Sequence, residues 1–215
     1  NAAITRKVVE MAHSAVSFTT VEDEADPRME ENPQDRRQWH YAQSYAAGDV
    51  SVEGELGNIG SIDENEGKVS EGIHFTEPDE AVSFIKETGI DCLAIGIGTS
   101  HGLYPEGFEP HIQIDRLRAI RKAIKDAGLN TRLVLHGGSG NPSEELTEAA
   151  KNGVTKINIS SDIKKAYYRK MKEVLEDDKL REPNVIEPAC ILAMQKVAED
   201  RIRWFGADNK AQLYR

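Results

Sequence analysis

The chain has 215 residues, 39% of them hydrophobic and 30% charged, with a formal net charge of −10. That is the balance of a globular domain with room for a sizeable core, and its acidity argues against a basic-patch binder of nucleic acid or of anionic membrane, while a local site can still take a small phosphorylated substrate. The two cysteines, Cys92 and Cys190, make no disulfide framework, and no apolar run is long enough to span a bilayer, so a cytoplasmic location without a signal peptide is expected.

Residues 1–13, NAAITRKVVEMAH, read as a helix with Ile4, Val8, Val9 and Met11 as its apolar positions. The helical pattern is already under way at Asn1, which leads us to expect a chain that starts inside a domain. Residues 22–38, EDEADPRMEENPQDRRQ, are almost without apolar content and read as an exposed loop within a polar insert at about 16–48. WHYAQSYAAGD suggests a short helix ending near Gly48.

From there strand and helix alternate. Short apolar strands are expected at 50–56, 91–98, 132–136 and 154–159. Between them EPDEAVSFIKETG reads as a helix with Pro78 in its first turn and Gly89 as its stop. QIDRLRAIRKAIKDAG reads as a helix closed by Gly128, and PSEELTEAAKNG as one opened by Pro142 and Ser143. SDIKKAYYRKMKEVLEDD is expected as a helix that Ser161 could cap, and 187–204 as a last helix. Cys92 sits in an apolar run and reads as a small buried hydrophobe. Such alternation implies parallel strands with right-handed crossovers, in an open doubly wound sheet or a (β/α)8 barrel. Glu55, His101, His136 and Asn158 fall at or just beyond the ends of successive strands. Four strands feeding one site favour the barrel mouth, with this chain supplying roughly the C-terminal half of a single domain over 1–215 and the N-terminal strands missing from it.

Two histidines carry the chemistry. His101 ends IGIGTSHG and His136 ends LVLHGG, one strand–helix unit apart and each followed by glycine. Two imidazoles and a carboxylate can hold zinc and leave a position for substrate. Glu55 is the candidate carboxylate; Glu53 lies two residues before it on the same face of the strand and reads equally well as a surface ion-pair partner. Gly137, Gly138 and Ser139 form a glycine-rich turn able to point N–H groups at a phosphate. Ser160 and Ser161 open the next helix, as phosphate ligands or as plain caps. Asn158 is an amide at a strand end that needs partners. His13, His40, His74 and His111 read as surface or local hydrogen-bonding residues, and Trp39 and Trp204 as packing residues.

Together SVEGELGNIG, IGIGTSHGLY, LVLHGGSG and KINISSD resemble the class II, metal-dependent ketose-bisphosphate aldolases, over Asn1 to about Ala211. The resemblance implies reversible aldol cleavage of fructose or tagatose 1,6-bisphosphate to dihydroxyacetone phosphate and glyceraldehyde 3-phosphate, through an enediolate stabilised by metal. It implies zinc on His101 and His136 with Glu55 near the metal, a second divalent or a monovalent cation remaining open. Gly102, Gly137 and Ser139, with Ser160 and Ser161 alongside, would hold the phosphate, and Asn158 the enediolate. A homodimer or homotetramer is implied, with no nucleic-acid or membrane partner.

The sequence departs from the family in two places. The family's third zinc histidine, in an Asp-His pair, would precede Asn1. Its mobile-loop acid, in a Gly-Gly-x-Glu-Asp pattern, is replaced by GSIDEN, leaving Asp63 or Glu64 as the proton carrier, with Gly57, Gly60 and Gly67 as hinges. A non-catalytic aldolase-like subunit or fragment, acting on a partner, is the alternative these departures raise, and a phosphate-binding barrel a third.

Overall fold

The computed structural model describes residues 2–14, 50–58, 60–63, 68–69, 74–102 and 104–214. The expected polar loop at 22–38, the helix at 39–49, the whole insert at 16–48, Glu64 and Gly67 lie outside the described residues.

The chain opens with α1 (Ala2–Ser14), whose Val9 is buried. The first strand is β1 (Glu53–Leu56), followed by β2 (Gly60–Asp63) and β3 (Lys68–Val69). Next come α2 (Pro78–Thr88), β4 (Cys92–Ile95), β5 (Ser100–His101) and α3 (Ile114–Asp126). Then follow β6 (Arg132–Leu135), α4 (Ser143–Lys151), β7 (Val154–Ile157), α5 (Ser161–Val174) and α6 (Pro183–Trp204). The larger sheet has the order β1-β4-β6-β7, all parallel, and follows chain order without reversal. This is an α/β architecture in which helices cross over between parallel neighbours.

Strand periodicity separates the two faces of that sheet. Leu56, Leu93, Ile95, Leu133, Leu135 and Val154 pack with Ala81, Ile85, Leu117, Ile120, Ile124, Leu146 and Ala149 of the helices. A Cβ on Gly54 would lie 3.0 Å from Ile90 and 3.1 Å from Phe84, so Gly54 also faces the helix layer. Glu53 and Glu55 alternate with Gly54 and Leu56 and therefore stand on the opposite face. His136 is one residue beyond the core residue Leu135, and Lys156 and Asn158 flank Ile157, which packs on the core; a register irregularity at Leu133/Val134 offsets Lys156 from Val154. One face of the sheet is thus apolar against helices, and the other gathers charge.

Several boundaries differ from the sequence reading. The strand expected at 91–98 stops at Ile95. Gly98 follows with φ +112°, and a Cβ there would meet the His111 carbonyl oxygen at 2.4 Å, so the chain turns instead of extending. The last helix begins at Pro183, earlier than expected, and Pro188 lies inside it. The helix from Ser161 ends at Val174. Its N-cap residue is Ser160, and no cap side chain bonds the helix, so Ser161 is its first residue and not its cap. Cys92 is half-buried, because it opens β4 at the sheet margin; Cys190 is the buried thiol. The segment after Gly57, expected as a glycine-hinged loop, contains β2, which pairs antiparallel with β3 and parallel with β5. Gly89 and Gly128 terminate their helices as expected, with φ +74° and +70°.

Asp91 ties the start of the sheet to α1. Its Oδ2 accepts from the Val52 N–H at 2.7 Å and lies 2.9 Å from His13 Nε2. Burial opposes the Asp91 charge, but the Val52 N–H and His13 outweigh it and hold the carboxyl below the usual aspartate range. A depressed carboxyl contributes stability that is present above the unfolded pKa of roughly 3.9 and is lost as pH falls through the folded value. Asp91→Ala should therefore lower stability at pH 7 by about 1 kcal/mol, discounted for the partial exposure of the pair. Denaturant titrations should find the gap between variant and parent closing toward pH 3; an undiminished gap at acid pH would contradict this.

Candidate active site at the strand ends

The charged face of the sheet converges on His136, the residue immediately after β6. Its Nδ1 lies 2.8 Å from Glu55 Oε2 and its Nε2 lies 2.9 Å from Glu53 Oε1. Both carboxylates come from β1, spaced two residues apart so that they flank one ring. Lys156 Nζ donates to the other Glu53 oxygen at 2.8 Å. Burial works against the Glu53 charge, and Lys156 and His136 more than offset it, leaving this carboxyl below the ordinary glutamate range. His136 is 16% exposed at its side chain, so the ring is largely fixed.

His101, the last residue of β5, brings its ring centroid to 6.2 Å from that of His136, with the planes 30° apart. The two histidines singled out by sequence are therefore neighbours, and Glu55 belongs with them. Glu53 joins them, and its ion pair with Lys156 also exists, so both readings of that residue hold together. Asp63 ends β2, whose Ser61 pairs with His101, so its backbone runs on from the His101 position. Glu64 lies outside the described residues.

The two loops that carry these histidines are laced to each other. Thr99 Oγ1 donates to the His136 carbonyl at 2.8 Å. The Ser100 N–H donates to Tyr104 Oη at 2.9 Å, and Tyr104 in turn donates to Asn141 Oδ1 at 3.4 Å. Asn141 Nδ2 donates to the Gly137 carbonyl at 2.8 Å. Gly137 has φ +63°, and a Cβ there would sit 2.6 Å from the Ser100 carbonyl oxygen; only glycine lets the loops approach this closely. Burial pushes the Tyr104 phenol up, so it serves as a neutral hydroxyl.

The glycine-rich turn is partly satisfied from within. The Gly138 N–H donates to the Asn158 carbonyl at 3.1 Å, and the Gly140 N–H to Asp162 Oδ2 at 3.3 Å. Ser139 Oγ accepts from the N–H groups of Ser160 and Asp162, at 3.1 and 3.3 Å. Gly137, Gly138, Ser139, Asn158 and Ser160 thus form one connected unit at the start of α5. Among the described residues the N–H groups of Gly137, Ser139 and Ser161 donate to no protein acceptor. Gly102 is half-buried directly after His101.

Thr99, Tyr104, Asn141, Lys156 and Asp162 were not among the residues selected from sequence. Lys156 had a readable signal: a lysine within a short parallel strand, two residues before Asn158 and so on its face. The other described histidines keep local partners, His13 with Asp91, His111 with Glu145 and His74 with Glu80, while His40 lies outside the described residues.

The donor set of two imidazoles and flanking carboxylates suits a borderline cation such as zinc. Among the described residues no three His, Cys, Asp or Glu side chains form a ready ligand cluster. Both His136 nitrogens are engaged by carboxylates, so binding a metal requires one of them to exchange a carboxylate for the ion.

Residues 23–210 match the family described as fructose-bisphosphate aldolase class-II. The sulfofructosephosphate aldolase of Alkalicoccus urumqiensis is 34% identical over 170 residues, covering 77% of this chain and 55% of that protein. The YdjI aldolase of Escherichia coli K12 is 29% identical with a TM-score of 0.57, covering 75% of this chain and 50% of its own. A Coccidioides immitis protein provisionally assigned as a fructose-1,6-biphosphate aldolase is 26% identical with a TM-score of 0.63, covering 78% of this chain and 56% of its own. The chain thus spans about half the length of the relatives it matches. By its sequence match and its fold, the chain belongs to the class-II fructose-bisphosphate aldolase family.

Proposed function

We propose that this chain forms part of an aldolase that reversibly cleaves a phosphorylated ketose to dihydroxyacetone phosphate and an aldehyde. The observation that carries the proposal is the meeting of His101 and His136 at the ends of parallel strands, beside a glycine-rich turn with N–H groups to spare. Residues 1–215 would belong to a single (β/α)8 barrel domain, with the described parallel sheet as one part of its wall. Supporting this, the strand order runs with the chain and never reverses, as a doubly wound sheet would. Glu53 and Lys156 also meet although β1 and β7 are the two edges of the sheet, about 14 Å apart if it were flat. A sheet curling toward this face brings them together.

His101 and His136 would hold zinc, with Glu55 at their side, and the ion would supply Lewis-acid polarisation of the substrate carbonyl. Everything else falls to the chain. With one His136 nitrogen on the ion, the carboxylate left on the other nitrogen fixes the plane of the ring, and Lys156 keeps Glu53 charged. The Gly137, Ser139 and Ser161 N–H groups take the substrate phosphate at the positive end of α5, with Gly102, Gly138 and Ser160 completing the wall. This anchoring sets the reacting carbons against the imidazoles. Asn158 hydrogen-bonds the hydroxyl and carbonyl oxygens of the three-carbon half. In cleavage the C3–C4 bond breaks, the C4 hydroxyl passes its proton to a water at the site, and the electron pair left at C3 takes a proton from the carboxyl of Asp63 or Glu64.

Fructose and tagatose 1,6-bisphosphate are the first substrates to assay. The name of the Alkalicoccus relative adds sulfofructose phosphate, whose far end differs while a phosphate remains. Release of dihydroxyacetone phosphate by the full-length protein from at least one of the three is expected; cleavage of none would reject the activity and favour the non-catalytic alternative.

Two substitutions test the assignments. His136→Ala should lose bound zinc and lower kcat/KM by at least about a hundredfold; stoichiometric zinc with near-normal turnover would remove His136 from the metal site. Asp63→Asn should slow proton exchange into dihydroxyacetone phosphate by roughly ten- to a hundredfold while zinc content stays unchanged. If Glu64→Gln slows exchange and Asp63→Asn does not, the proton carrier is Glu64.

A further inference from the structure

Behind the glycine-rich turn lies a buried ion pair that the reaction itself does not use. Arg201, near the end of α6, donates from Nη2 to Asp162 Oδ2 at 2.6 Å, and the two side chains are only 17% and 14% exposed. Asp162 stands in the first turn of α5, and the same Oδ2 accepts the Gly140 N–H. Its own N–H donates to Ser139 Oγ. Asp162 therefore holds the turn at two points, one through its backbone and one through its side chain. The Arg201 guanidinium lies 3.9 Å over the Trp204 ring, which fixes its plane. Its Nε is buried without a hydrogen-bond partner among the described residues.

A pair of this kind is poor evidence for stability. Two charges removed from water lose about as much as they regain, and an unpartnered buried N–H adds to the cost. A hydrophobic pair of similar volume would hold α5 against α6 at least as well. The location of the pair gives it a different use. The Asp162 carboxylate sits in the positive field of the α5 N-terminus, where a phosphate would compete for the same field. Left uncompensated, its charge would repel a phosphate dianion at short range. Arg201 cancels that charge and aims the carboxylate at the Gly140 N–H.

We propose that Arg201 is a positioning residue for substrate phosphate: through Asp162 it locks residues 137–140 and the start of α5 into one anion-accepting unit and removes the like charge beside it. The inference rests on the reading of that turn as the phosphate site. Arg201 touches no substrate. Its influence falls on substrate affinity, with the chemical step largely spared.

The experiment compares the full-length, zinc-loaded parent with Arg201→Met and Arg201→Lys, using the phosphorylated ketose that the parent cleaves and inorganic phosphate as a probe of binding without turnover. Arg201→Met should raise KM about tenfold or more with kcat changed less than about threefold, and should abolish the thermal stabilisation by phosphate seen in the parent. Arg201→Lys keeps the charge and should fall between the two. Adding Asp162→Asn to Arg201→Met removes the uncompensated charge and should restore part of the phosphate response, a coupling that mere loosening of α6 would not produce.

A folded Arg201→Met protein with KM and phosphate response within twofold of the parent overturns the proposal. Should Arg201→Met not fold, Arg201→Gln carries the same expectation; failure of both to fold assigns the pair to stability and overturns the positioning role. If the parent itself shows neither a phosphate response nor saturable cleavage of a phosphorylated ketose, the phosphate reading of the turn fails, and this inference fails with it. A responsive parent beside an equally responsive Arg201→Met protein isolates the failure to Arg201.

Discussion

The geometry of this site depends on one imidazole held by two carboxylates from a single strand. Glu53 and Glu55 reach both nitrogens of His136 because alternate residues of a β-strand share a face. The arrangement requires β1 and β6 to stand in the same sheet with β4 between them, in a register that puts the end of β6 opposite the carboxylates. A shift of one residue would turn both glutamates into the helix layer, among Ile90, Phe84 and the core leucines. Burial of that layer therefore enforces the chemistry of the opposite face. Lys156 completes the arrangement from the far edge strand, so the charged face is balanced by its own lysine rather than by bulk solvent.

The anion-accepting side obeys a different constraint. The chain carries a net charge of −10, yet its family acts on phosphorylated sugars. Net charge supplies no long-range attraction, and on the proposed reading affinity comes from N–H groups at short range. Within the glycine-rich turn the Gly138 and Gly140 N–H groups are committed to Asn158 and Asp162, and Ser139 Oγ accepts the Ser160 N–H. Those internal bonds make the turn rigid, so the remaining donors are aligned before any ligand arrives. Thr99, Tyr104 and Asn141 tie the same turn to the loop that carries His101, which links the two halves of the site mechanically.

Much of this was legible in the amino-acid order. Apolar runs separated by helical periods mark the four parallel strands, and polar residues at or just beyond their ends mark Glu55, His136 and Asn158; His101, expected beyond the strand at 91–98, stands instead on β5. The i, i+2 spacing of Glu53 and Glu55 predicted their shared face; what it could not supply was the ring they would flank. The small sheet of β2, β3 and β5 was missed because GSID and TSHG lack the alternating apolar pattern that marks a strand; their pairing is set by neighbouring chain, not by burial. Lys156 has a signal of its own, a lysine in a short parallel strand. The pairing of Asp162 with Arg201 had no local signature. Each sits on a helix where charged residues are ordinary, and only the packing of α5 on α6 brings them together.

The central claim is that the imidazoles of His101 and His136 serve one cation at the ends of the parallel strands. X-ray absorption at the zinc edge of the full-length, zinc-loaded protein tests it most directly. The account predicts a first shell containing at least two imidazole nitrogens at about 2.0–2.1 Å, with the outer-shell scattering that histidine rings produce. A shell of oxygen or sulfur ligands without imidazole would contradict it.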